Sequence, residues 1–285
     1  MNVYVVLGIQ ILIASATHIV AKSVLHEVDA LTLTFFRSVI SVTGFFAVLV
    51  IRGVKIRFDK ESLRPIFLLG SLATSNQLLY LYGLNYTTAA NAALLYATMP
   101  IFVLLLSKFM LKEEITLKKT FGIALAFTGV AIVIFERGIS ASAEFIYGNI
   151  ILLFAVITWA LFTILGKPLV LKFGTLSTTA STNLAGSLLL LPFGMYSASV
   201  FSFDNLHIID WMGIFYLGIG TSIIGYLLWY YALRRIEASR LAVFANGQPI
   251  IATILSVIFL DAVITAQFII GGFVTIAGVI ITQRK

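Results

Sequence analysis

The sequence predicts an all-α membrane protein of ten transmembrane helices, arranged as two inverted five-helix repeats. Three observations carry that prediction. Apolar runs of about 20 residues, the length a helix needs to cross a bilayer, recur from end to end. One long stretch returns near the C-terminus at a constant offset. Lys and Arg gather in alternate connections.

Of the 285 residues, 60% are hydrophobic and only 11% charged, with mean hydropathy +1.05. A soluble domain would carry about 25% charge. Strands are unfavourable, because the runs are continuous rather than alternating and an open sheet cannot leave its edge in lipid. Cysteine is absent, which removes disulfides, thiol chemistry and Cys-based metal sites. His18, His26 and His207 are scattered and form no ligand motif with a carboxylate. The expectation is no metal, no cofactor and no enzymatic activity.

The first span covers residues 3–21. Ala14-Ser15-Ala16 resembles a signal-peptide cleavage site, but no Lys or Arg precedes the apolar run. The segment is therefore read as an uncleaved helix. His18 lies three-quarters of the way along it. The second span, 30–51, holds Arg37, expected to snorkel to the outer edge or to tie helices together. The third, 65–84, carries Thr74, Ser75, Asn76, Gln77, Tyr80 and Tyr82. The fourth, 90–110, contains Pro100, which should free a carbonyl and kink the helix. The fifth, 117–135, places Gly122, Ala126 and Gly129 on one face. The sixth, 146–166, has Trp159 at mid-depth, and the seventh is 175–198. The eighth, 211–232, carries Thr221, Ser222, Tyr226, Trp229 and Tyr230; the ninth, 240–260, contains Pro249; the tenth is 265–282.

The repeat is visible in residues 91–134 and 240–281. An offset of 149 places Pro100 on Pro249, Thr116 on Thr265, Gly122 on Gly271 and Gly129 on Gly278. The halves are 1–138 and 139–285. All but Lys22, Arg37 and Arg137 of the 19 Lys and Arg fall on one side of the predicted membrane, among them Arg52, Lys55, Arg57, Lys60, Arg284 and Lys285. That side is read as cytoplasmic, with both termini on it. The basic pI near 9.6 is thus a topology signal and not a nucleic-acid patch. Five spans per repeat, an odd number, invert the second copy. Charge agrees: the KEEITLKK loop is basic and its counterpart DAVITAQ is not, whereas NYTTAA is neutral and RRIEASR is basic. Inverted repeats build secondary transporters with a midplane site between the halves and alternating access by rocking.

The doubled pattern of small residues and Pro, the LxxE turn from Leu111 to Glu114, Thr116 and the paired glycines resemble the drug/metabolite transporter superfamily, in particular its EamA-type exporters. The likeness covers nearly the whole chain. In this sequence Glu113 and Glu114 have Ala262 and Val263 opposite them. The resemblance implies ten helices in two inverted repeats and export of amino acids, drugs or other metabolites; relatives carry sugar nucleotides or phosphorylated sugars. Span one holds no glutamate of the kind small multidrug-resistance pumps carry.

Amide and phenol groups are costly in hydrocarbon without partners, so the polar faces of spans three and eight should look inward. The expected chamber is lined by Asn76, Tyr80, Tyr96, Tyr226, Tyr230 and Gln248, with Trp159 and His18 nearby. Gly122 and Gly271 are read as packing residues, Glu113 and Glu114 as helix-end charges, and Lys22 and Lys167 as interfacial anchors. The expected function is outward movement of a small metabolite, such as an amino acid, across the inner or plasma membrane by a monomer. A carrier of sugar nucleotides or phosphorylated sugars is the alternative; it would need basic groups in the cavity, and only Arg37 is available.

Overall fold

The computed structural model describes residues 2–56, 59–135, 143–204, 206–251, 254 and 266–283. Span nine beyond residue 251, apart from 254, lies outside the described residues, as do Arg57, Arg137, Ala262, Val263, Thr265, Arg284 and Lys285. Every regular element described is helical.

Helix α1, Val3–Val24, starts where the Asn2 side chain accepts the Tyr4 N–H at 2.9 Å. Asp29 caps α2, Ala30–Ile51, through the N–H groups of Leu31 and Thr32, each at 3.0 Å. Asp59 caps α3, Lys60–Asn85, through Ser62. Each cap occupies a donor that the first helical turn leaves unpaired. The fourth span is two helices, α4, Ala89–Tyr96, and α5, Met99–Met110. Pro100 therefore opens a helix after a break at 97–98 instead of kinking one in mid-course, a position where its missing N–H costs nothing.

Helices α6, Leu117–Phe135, and α7, Ala143–Phe173, follow. At 31 residues α7 runs well beyond the expected 146–166 and takes in Lys167. Gly174, at φ 82°, turns the chain sharply into α8, Thr175–Val200, a left-handed conformation that glycine adopts without strain. The eighth span is α9, Ile208–Phe215, then a π-helical segment, Tyr216–Gly225, then α10, Tyr226–Leu233. After α11, Ala238–Val243, a 3₁₀ turn, Phe244–Gly247, leads into residues 248–251; Pro249 thus also follows a break. The last helix, α12, is Ala266–Gln283. Among the described residues, six helical stretches are long and apolar enough to cross a bilayer.

Helix α3 packs along α7 and α8, α2 along α8 and the π-helical segment, and α6 along α12. The α6–α12 seam is made of small residues. A Cβ on Gly122 would meet the Gly278 carbonyl at 2.8 Å, and one on Gly129 the Gly271 carbonyl at 2.5 Å. As α6 advances from 122 to 129, its partner recedes from 278 to 271, so the two helices run antiparallel. Two apolar clusters flank the centre, one around Leu69, Val156, Trp229 and Tyr230, the other around Leu33, Leu81, Leu152 and Ile214. Large apolar side chains such as Phe46, Phe193 and Phe273 cover the outer surface, as contact with lipid requires.

One lysine in each half ties helices of that half together. Lys22 donates to the carbonyls of Leu84 and Asn85 at the end of α3, and Lys167 to that of Ile236 just past α10. Both are cations on the carbonyl end of a helix. Lys167 also pairs with Glu113 at 2.9 Å. Glu113 is more than a loop charge: its buried carboxylate accepts from the backbone N–H groups of Ala238 and Ser239 and from the Ser239 hydroxyl at 2.7 Å, so it caps α11. Burial acts to raise its carboxyl, but Lys167, Ser239 and Ala238 outweigh burial and hold it below the ordinary carboxylate range.

Candidate functional site

A central cavity, together with the open space at its mouth, contains about 680 Å³ of empty space. Its walls come from both halves: α1, α2, α3 and α4 on one side, α7, the π-helical segment, α10 and the 3₁₀ break on the other.

Of the residues expected there, His18, Asn76, Tyr80, Tyr96, Trp159, Tyr226 and Gln248 all line it. The breaks before Pro100 and Pro249 deliver two of them. Tyr96, the last residue of α4, accepts a hydrogen bond from Asn76 Nδ2 at 2.8 Å. Gln248, just past the 3₁₀ turn, brings its Oε1 to 3.0 Å from His18 Nε2. The other ring nitrogen, Nδ1, lies 2.8 Å from the Tyr80 hydroxyl. An amide oxygen only accepts, so with this amide orientation Nε2–H donates to Gln248 and Nδ1 accepts from Tyr80. Tyr80, His18 and Gln248 form one chain joining α3, α1 and the second half. Around it, Trp159 meets Tyr226 edge-on at 5.0 Å and stacks on Phe162 at 5.1 Å.

Tyr230, also expected in the lining, is set apart. It is fully buried and stacks on Phe162 at 5.0 Å, with its hydroxyl beside Gly166. It sits one turn beyond Tyr226 in the same apolar cluster and, unlike Tyr226, does not line the cavity.

Of the two courses expected for Arg37, the structure shows the one that ties helices together, here α2 to the π-helical segment. It does not snorkel: it is 2% exposed, lines the cavity, and donates through Nη2 to Ser222 Oγ at 3.3 Å. Gln10, Thr17, Gln77 and Thr221 complete the polar lining. Gln10 and Thr17 were missed, although Gln10, Ala14, Thr17 and His18 follow helical spacing along a stripe of α1. The π-helical segment was missed as well; its three glycines, Gly218, Gly220 and Gly225, were the available signal. Among the described residues, no group of three or more His, Cys, Asp or Glu could hold a metal ion.

Comparison with known proteins gives consistent findings. The model of the EamA-like transporter family matches twice, over residues 3–135 and 146–284. "Uncharacterized transporter YetK" of Bacillus subtilis is 32% identical over 207 residues, 72% of this chain and 63% of that protein. An "Uncharacterized transporter" of Archaeoglobus fulgidus is 33% identical over 241 residues, 84% of each chain. A "Probable terminal-alkyne amino-acid exporter" of Streptantibioticus cattleyicolor is 27% identical, over 73% of this chain and 69% of that one. A solved structure described as "Crystal structure of protein" superposes with TM-score 0.81 at 20% identity, over 99% of this chain and 96% of that chain. At that identity it shows the fold alone.

Proposed function

We propose that this chain, which belongs to the EamA-like transporter family, is a secondary transporter moving a small metabolite, an amino acid or similar compound, outward by alternating access through the central cavity. The observation that carries this reading is the position of the cavity on the relation between the halves. Gln77 and Tyr226, which are 149 residues apart and so equivalent in the repeat, both line the cavity and hydrogen-bond to each other at 3.1 Å. A residue that touches its own counterpart lies beside the axis relating the two copies. Ala126 and Thr275, also 149 apart, mark a second point, where the Thr275 hydroxyl, donating to the Gly271 carbonyl at 2.8 Å, lies 3.4 Å from the Ala126 carbonyl.

In this reading 1–138 and 139–285 are five-helix repeats and the chain crosses the membrane ten times. Antiparallel packing of α6 on α12 supports inversion. Helices related by a two-fold axis run antiparallel when that axis lies across them, and such an axis lies in the membrane plane. The Lys and Arg bias supports cytoplasmic termini in an inner or plasma membrane. Broken helices at matched positions, with aromatic, amide and hydroxyl groups at the breaks, support a midplane substrate site. One chain supplies the whole cavity, so a monomer suffices. The name of the Streptantibioticus relative supports the amino-acid class.

The test is an uptake screen in proteoliposomes across amino acids, sugars and nucleotides, with and without a pH gradient. Saturable uptake of at least one compound above protein-free vesicles is expected. Uptake of none sinks the reading.

A further inference from the structure

We infer that Arg37 is the anion anchor of the cavity and receives a single carboxylate group of the transported compound; this rests on the transporter reading above. The guanidinium has five N–H donors and cannot shed its proton in a protein. It is 2% exposed, yet its one hydrogen bond among the described residues goes to a neutral hydroxyl, Ser222 Oγ at 3.3 Å. That hydroxyl spends its own proton on the Leu217 carbonyl at 3.0 Å. The Nε of Arg37 has no partner among the described residues. Among the described residues, none lining the cavity is Asp or Glu. The carboxylate on its own helix, Asp29, lies eight residues away, about 12 Å along the axis, and is occupied in capping α2. The described ion pairs use Asp59, Glu113 and Glu237, all outside the cavity.

A buried cation without a counter-charge is costly in a low-dielectric interior, and an arriving anion relieves that cost. One guanidinium balances one charge. A carboxylate supplies one negative charge and can accept two parallel N–H bonds from the guanidinium edge. A phosphate monoester brings a charge of about −1.5 to −2, and among the described lining residues the other basic side chain, His18, has both ring nitrogens engaged by Gln248 and Tyr80. Trp159, Tyr226 and Tyr80 supply aromatic surface for the rest of the molecule. The substrate class is therefore a small monocarboxylate, free amino acids included, with an apolar or aromatic body.

The test compares pairs of equal shape. Acetate, 4-methylpentanoate and 3-phenylpropionate are each titrated against their primary amides, with 2-phenylethyl phosphate as the phosphate probe. Binding is read from the change in tryptophan fluorescence of the purified wild-type protein, two of whose three tryptophans, Trp159 and Trp229, line the cavity. At least one acid should bind roughly tenfold or more tightly than its amide, the discrimination expected of a hydrogen bond to a charged group, and more tightly than the phosphate. Arg37→Gln should erase the acid preference, and Arg37→Lys should keep part of it. The inference is overturned if no acid binds, if amides or the phosphate bind as well as acids, or if Arg37→Gln keeps the preference. The wild-type comparison stands even where a variant fails to fold. Saturable uptake of neutral compounds with no acid preference would overturn the anion site and leave the transporter reading intact. Arg37-dependent acid binding with no uptake of any compound would do the reverse.

Discussion

The Gln77 amide donates to the Tyr226 phenol oxygen at 3.1 Å, and the two residues are the same position of the two repeats. The wall of the cavity therefore contains a residue bonded to its own counterpart. Nearby groups on the relation axis are held from both halves at once, so a change in one half is felt by the other.

The chain Tyr80–His18–Gln248 crosses the same region. Removing one hydroxyl or amide leaves a buried partner unpaired, at about 1–3 kcal/mol. Tyr80→Phe and Gln248→Ala should each weaken substrate affinity roughly five- to 150-fold at unchanged expression. Titration of the purified variants with a transported compound measures this; wild-type affinity in both would move the site away from His18.

Gly122→Leu should lower the folded yield. A side chain there runs into the Gly278 carbonyl at 2.8 Å and the Thr282 N at 2.9 Å, both backbone atoms that cannot swing aside. Gly271→Leu, on the opposing helix of the same seam, should act alike, because helices in lipid associate through close small-residue contact. Size-exclusion profiles in detergent would report it. A monodisperse variant at normal yield without uptake would assign these glycines to transport instead.

Glu113 makes stability depend on pH. Its carboxyl is held below the ordinary range, so its contribution is complete above its unfolded value, near 4.5, and is lost as pH falls through the lower folded value. Glu113→Gln should lower the thermal midpoint at neutral pH, by an amount equivalent to about 1–3 kcal/mol. The variant's midpoint should also fall less than the wild type's on acidification. Parallel curves for the two proteins would remove Glu113 from the account.

Much of this was legible in the sequence because the bilayer simplifies the physics. Apolar runs marked the helices, and α2 and α6 begin and end where expected. Polar groups that cannot face lipid had to converge, and Asn76, Tyr80, Tyr96 and Tyr226 do so. What stayed hidden depends on local backbone geometry and on partner helices. Pro100 was read as a kink within one span, and only the fold makes it the start of α5 after a break. Tyr226 and Tyr230 share a helical face by spacing and both lie against Phe162, yet only Tyr226 also reaches the cavity. Arg37 has the reach to snorkel, and its inward course follows from Ser222 on the π-helical segment, which periodicity does not reveal. Glu113 resembles any loop acid until α7 and α11 close over it.

The most direct test places one thiol in the cavity. The chain has no cysteine, and Ala14 lines the cavity without joining its hydrogen-bonded chain. In Ala14→Cys proteoliposomes, a small thiol reagent should abolish uptake, and the transported compound should slow modification of Cys at that position in proportion to its occupancy. Modification that leaves uptake unchanged, or that proceeds equally fast with saturating compound, would contradict transport through this cavity.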